Sequence, residues 1–157
     1  MTWLRRRLWE PLLALLSTGL SPQGLAWSVA MGLALGVFPM LGTTTLLCVG
    51  AAFAFRLNQP AMQLVNYLAY PLQQVLHNPY IRMGERLFSV EPMPLALPAM
   101  LQALRADTLG TIALFWSRIW HACVVWALVV LPLAALLAFI LRPVFQAAAR
   151  RFKEQTA

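Results

Sequence analysis

The sequence predicts an all-α membrane protein, and three observations carry that prediction. Residues 11–55 run for 45 residues without one Asp, Glu, Lys or Arg. Hydrophobic residues make up 61% of the chain and charged residues 11%, against about 45–50% and about 25% in typical soluble domains. Basic residues outnumber acidic ones, 12 to 5. They cluster at Arg5, Arg6 and Arg7 and again at Arg142, Arg150, Arg151 and Lys153, beside apolar runs. Anionic headgroups and the positive-inside rule favour that placement. A nucleic-acid-binding patch would lack those apolar neighbours, so no nucleic acid is expected as a partner. At this length residues 1–157 read as a single membrane domain with no room for a separate soluble one.

The elements follow in order. Residues 3–17 read as an N-terminal interfacial helix. Trp3 and Trp9 suit the headgroup level, the three arginines suit anionic lipid, and Leu8, Leu12, Leu15 and Leu16 share one face. The apolar part is short and Gly19-Leu20-Ser21-Pro22 is a poor cleavage site, so the segment reads as retained rather than as a signal peptide. Ser21 is placed as N-cap and Pro22 as first residue of a helix over about 22–38. Small residues recur there at Ala26, Ala30 and Ala34 and at Gly32 and Gly36, spacings that let another helix approach closely in lipid. Pro39 removes a donor and Gly42 tolerates a left-handed turn, so the chain breaks between them. A second helix follows over about 43–55 and ends at Arg56.

Each of these helices has about 14 apolar residues, or roughly 20 Å at 1.5 Å per residue. The hydrocarbon layer is about 30 Å thick. Neither helix spans it, and a re-entrant hairpin that enters and leaves by one face fits. The alternative is one long kinked helix with a surface helix beside it. Next comes an apolar helix with a polar face, about 59–77, which Gln63, Asn66, Tyr70 and Gln73 stack along three- and four-residue steps. The charge-free run around it, 57–81, holds Pro60, Pro71 and Pro79, and Pro71 bears on the continuity of the helix. Arg82–Phe88 reads as a separate short amphipathic turn. Residues 95–118 read as connector and surface helices, Leu95–Asp107 among them. A C-terminal transmembrane helix is placed over about 112–141, with 119–141 as its apolar span and Pro132 as a kink. Residues 142–157 form a basic tail.

Chemistry is sparse. No metalloprotease, phosphate-loop, dinucleotide or Cys/His ligand pattern occurs. Glu10, Glu85, Glu91, Asp107 and Glu154 form no carboxylate pair on one helical face, and His77 and His121 are far apart. No catalytic residue, cofactor or metal is therefore expected. Cys48 and Cys123 lie in apolar runs as small packing residues. The hairpin tip is one candidate anion site. A helix starting at Thr43 points its free N–H groups and positive dipole end into the tip, and Thr43, Thr44 and Thr45 add hydroxyls. The plainer reading is that Thr43 caps its own helix. Arg56 is the second candidate, because a guanidinium at the interface grips a lipid phosphate with two parallel bonds. Asn58 stands with it, or caps the next helix. The polar face of Gln63, Asn66, Tyr70 and Gln73 is either a polar path or interhelical hydrogen bonding.

Residues 19–94 resemble a bacterial family of small membrane proteins known only as an uncharacterised domain. The residues that carry the resemblance are Gly19-Leu20-Ser21-Pro22, Ala26, Ala30, Gly32, Gly36 and Phe38-Pro39-x-x-Gly42-x-Thr44. It continues through Arg56-Leu57-Asn58-x-Pro60, Asn66, Tyr70-Pro71-Leu72-Gln73 and Arg82-x-Gly84-Glu85. Members carry Asn-Pro near the place where this chain has Tyr70-Pro71. The resemblance implies a bacterial inner-membrane protein with no established activity. If 57–81 and 119–141 both cross, both termini face the cytoplasm, with Arg82, Arg86, Arg105 and Arg118 on the other side. Two functions are then expected as alternatives. One is binding or translocation of an anionic lipid or lipid-linked phosphate. The other is a non-catalytic scaffold subunit, whose Gly32 and Gly36 ladder packs against a second copy or a membrane-protein partner.

Overall fold

The computed structural model describes residues 21–93 and 96–156, and the side chains among them as far as Arg150. The expected interfacial helix over 3–17 lies outside the described residues. Within them every regular element is helical. They are α1 (Pro22–Gly36), α2 (Thr44–Phe55), α3 (Gln59–Leu87), α4 (Leu97–Ala106) and α5 (Thr108–Thr156).

Local chemistry sets the boundaries. Ser21 is extended and its hydroxyl accepts the Gly24 N–H at 3.0 Å, with Pro22 next in line where no donor is needed. α1 stops at Gly36, two residues before the expected end, and Gly42 turns the chain at φ +84°. α2 starts at Thr44. It ends on Arg56, whose backbone is left-handed at φ 52°, ψ 41°, while the Leu57 N–H closes onto the Ala52 carbonyl at 2.9 Å. The chain then returns to the foot of α1, where the Asn58 N–H donates to Ser28 Oγ at 2.8 Å. α1 and α2 are thus two helices folded back on each other, not one kinked helix.

α3 does not stop near residue 77. It continues through Pro71 and Pro79 to Leu87, so the expected separate turn at 82–88 is its last part. A proline inside a helix costs about 3 kcal/mol. Here a long buried face offsets that cost, running from Ala61 and Met62 through Asn66, Ala69 and Gln73 to Tyr80, Ile81 and Gly84. Likewise α5 is longer than 112–141 at both ends. Asp107 accepts the Gly110 N–H at 2.9 Å and starts the helix four residues early. The basic segment after Arg142 continues it instead of forming a tail. Pro143 lies on an exposed part of the helix and Phe145 is fully buried just beyond, which holds the last turns in register. α4 has no buried residue, as a surface helix should.

α1 packs against both α3 and α5, and its glycines make the close approach to α3. A Cβ on Gly32 would come within 2.7 Å of the Met62 carbonyl oxygen, and one on Gly36 within 2.8 Å of the Ala69 Cβ. The glycine ladder is therefore closed against α3 inside the chain and is not open to a partner. Ala30 and Ala34 share a wall with Val129, Val130 and Ala134 of α5. Two apolar clusters result. One joins Leu35, Val37, Met62, Ala69, Ile81 and Trp126. The other joins Leu25, Ala26, Ala61 and Phe145 at the foot. Among the described residues one helix, α5, is long and apolar enough to cross a membrane. α2 buries only Thr44, Cys48 and Ala52 and leaves Leu46, Phe53 and Phe55 exposed.

Candidate functional site

The expected site residues separate into three places along the hairpin. At the tip, Pro39 is buried while Leu41 and Gly42 face outward. Thr43 does not cap α2 with its side chain. Its backbone is already helical, which turns the hydroxyl backwards to donate to the Met40 carbonyl at 3.0 Å. Thr44 is buried and Thr45 half-buried. At the other end of α2, about 18 Å away by helical rise, lie Arg56 and Asn58. The tip hydroxyls and Arg56 therefore cannot meet on one small anion. Asn58 is committed locally, since its Oδ1 accepts the Ala61 N–H at 2.8 Å and caps α3. Arg56 is exposed and has no acidic partner among the described residues.

The polar face of α3 divides. Asn66 and Gln73 are buried, Gln63 is half-buried, and Tyr70 is 58% exposed. The reason is angular. At 100° per residue, Asn66 and Gln73 point into the seam with α1, whereas Gln63 and Tyr70 sit about 60° round towards the flank. Tyr70 thus does not join the buried amides. Those amides bind backbone: Gln73 Nε2 donates to the Phe38 carbonyl at 2.8 Å and Gln63 Nε2 to the Thr45 carbonyl at 3.1 Å. Asn66 Nδ2 donates to Gln63 Oε1 at 3.2 Å. α3 therefore donates to backbone on both sides of the hairpin turn: the Phe38 carbonyl lies past the end of α1, where carbonyls are left unpaired, and the Thr45 carbonyl lies in the first turn of α2.

Three features were missed by reading the sequence. Ser28 is fully buried and joins α1 to the α2–α3 link; a serine within an apolar run carries no signal for that. Trp126 Nε1 donates to the Ala34 carbonyl at 2.9 Å, satisfying an orphan at the end of α1, and its ring meets Phe38 edge-on at 4.9 Å. The third is a buried ionic cluster at the far end. Glu85, 3% exposed, accepts from Arg82 Nη1 at 2.8 Å and from the Met93 N–H at 2.7 Å. Buried Arg118 lies 3.9 Å away through Nε and donates from Nη2 to the Glu91 carbonyl at 3.0 Å. Gly84 and Phe88 close the cluster against His121, whose ring stacks on Phe88 at 4.1 Å. The Arg82 and Glu85 spacing was legible; a third member 33 residues on was not.

These elements define a helical protein built around a folded-back hairpin clasped by two longer helices, with exposed basic residues at its foot and an ionic cluster at its far end. The sequence matches, over residues 3–155, the family described as "Uncharacterized protein conserved in bacteria (DUF2062)", and the chain belongs to that family. The match covers nearly the whole chain, so the likeness extends well beyond residues 19–94. No curated protein and no solved structure matches the chain.

Proposed function

We propose that this is a multi-pass protein of the bacterial inner membrane that binds an anionic lipid, with the α1–α2 hairpin re-entrant and both termini cytoplasmic. The observation that carries the reading is register. α3 has no charged residue over 59–81 and α5 none over 119–141. Each segment is about 34 Å long, slightly more than the roughly 30 Å of a hydrocarbon layer. They run antiparallel and overlap in space. Gly84 packs on His121 at one end, where Glu85 reaches Arg118, and Ala61 shares a cluster with Phe145 at the other. That register sets about 65–81 beside 125–141, a shared charge-free band of roughly 25 Å. The exposed leucine and phenylalanines of α2 add apolar surface that lipid would cover.

The hairpin, at about 22 Å for α1, reaches partway through such a band. Arg56 then stands at the headgroup level. Its guanidinium is unpaired among the described residues and suited to a phosphate. Binding rather than translocation is proposed, because Gln63 and Gln73 are already committed to hairpin carbonyls and leave no polar path. The scaffold alternative loses its motivating ladder, since Gly32 and Gly36 are filled from within. We propose no catalytic role. The test is mass spectrometry of lipids retained after purification in mild detergent, wild type against Arg56→Ala. Enrichment of one anionic lipid class in wild type and its reduction in the variant is expected. Bulk membrane lipid alone in both would overturn the reading.

A further inference from the structure

An apolar groove runs between α3 and α5 at the far end of the band from Arg56, floored by Ala30 and Ala34 of α1. Its deep part has a volume of about 370 Å³ and is lined by aliphatic side chains, Pro79 and the Tyr80 ring. It continues past Met83 and Val129 into a second hollow of about 490 Å³. On α3 the lining is one stripe, Leu72, Leu76, Tyr80, Met83 and Arg86, repeating at helical spacing. That stripe is about 21 Å long by helical rise. A single leaflet of hydrocarbon is roughly 15 Å deep, half the layer. The groove is thus longer than one leaflet is deep and has room for one lipid chain along it, and its outer end is marked by Arg86. Arg82 and Arg118 are spent on Glu85 and Glu91. Arg86 is exposed and has no acidic partner among the described residues.

We infer that this groove is a lipid site distinct from Arg56. It takes one acyl chain of an anionic phospholipid from the leaflet opposite the hairpin's foot, with the headgroup phosphate on Arg86. The inference rests on the membrane reading above. Charge complementarity argues for this occupant: the groove wall is apolar along its length and its mouth carries one uncommitted cation. A second protein copy would need a matching carboxylate at that mouth, and a neutral lipid would leave the guanidinium unused. A cation in the last turn also complements the helix dipole, but that role does not require it to close a groove.

The protein reconstituted in phosphatidylcholine vesicles is exposed to phosphatidylglycerol carrying a photoreactive group on one acyl chain, and the labelled peptides are mapped. Labelling is expected within 72–83 and 129–137, and roughly tenfold lower for Arg86→Gln, the loss expected for one charge-assisted contact. Met83→Trp, at an exposed position shared by the two hollows, should stop labelling deeper than residue 83. Arg56→Ala should leave groove labelling unchanged. Equal labelling by a phosphatidylcholine probe, indifferent to Arg86→Gln, would overturn the groove proposal. Labelling lost in Arg56→Ala but kept in Arg86→Gln would overturn it too, while sparing the site at the hairpin's foot. Preferential capture of a photoreactive fatty acid would also contradict the phospholipid assignment.

Discussion

Arg56 holds a backbone conformation that costs an L-residue with a Cβ about 1–2 kcal/mol, and a glycine there would be free of it. An arginine kept in that position is easier to understand if its side chain has work at the surface. Arg56→Gly should accordingly raise thermal stability by about 1 kcal/mol in detergent and lower anionic-lipid retention at the same time. Loss of both stability and lipid would contradict the reading. At the far end, Glu85→Gln removes the carboxylate that two arginines face. It should destabilise by about 3–5 kcal/mol, because buried Arg118 is left without its counter-charge; a shift in the unfolding midpoint near zero would show that the cluster is not structural. At this scale the sequence was legible where a residue acts on its own neighbours, as with Ser21, Asn58, Gly42 and the Arg82–Glu85 pair. It was silent where a partner is distant. Ser28, Trp126 and Arg118 find theirs 30, 92 and 27 residues away.

The hairpin is held at the scale of whole helices by close backbone approach and by amides that bind carbonyls. Gly32→Ala places a methyl against the Met62 backbone, which cannot yield as a flexible side chain would. It should cost about 1–3 kcal/mol by overpacking, read as a lower unfolding temperature with no change in oligomeric state. A change in assembly without loss of stability would restore the ladder as an interface. Trp126→Phe keeps the ring against Phe38 but leaves the Ala34 carbonyl unpaired, at about 1–3 kcal/mol. Helix existence was legible from charge-free runs and caps, and the break at Pro39 and Gly42 was visible. The extents of α3 and α5 were not. Local rules end the one helix near 77, ahead of Pro79, and read the basic segment after Arg142 as a tail, whereas tertiary burial beyond those points carries each helix on. The polar face of α3 was legible as a row but not in its outcome, because burial depends on which neighbour occupies the seam.

Across the whole molecule, the charge-free stretches of α3 and α5 overlap in one band, and the proposed topology has the hairpin reach into it from one side. The charges agree with that orientation. Arg56, Arg142 and Arg150 share the hairpin's foot, and Arg82, Arg86 and Arg118 the opposite end, with Arg5, Arg6 and Arg7 preceding α1 in sequence. Labelling with a membrane-impermeant maleimide tests this most directly, in sealed vesicles of known orientation. Cys48 and Cys123 are replaced by Ala, and single cysteines are placed by Gln23→Cys, Gln59→Cys, Ser89→Cys and Leu41→Cys at exposed positions. Positions 23 and 59 are expected to label from the cytoplasmic side, position 89 from the opposite side, and position 41 from neither. Labelling of position 41 from the side opposite to 23 would make α1 a complete crossing, and labelling of 59 and 89 from the same side would show that α3 does not cross; either result would overturn the proposed re-entrant, multi-pass topology.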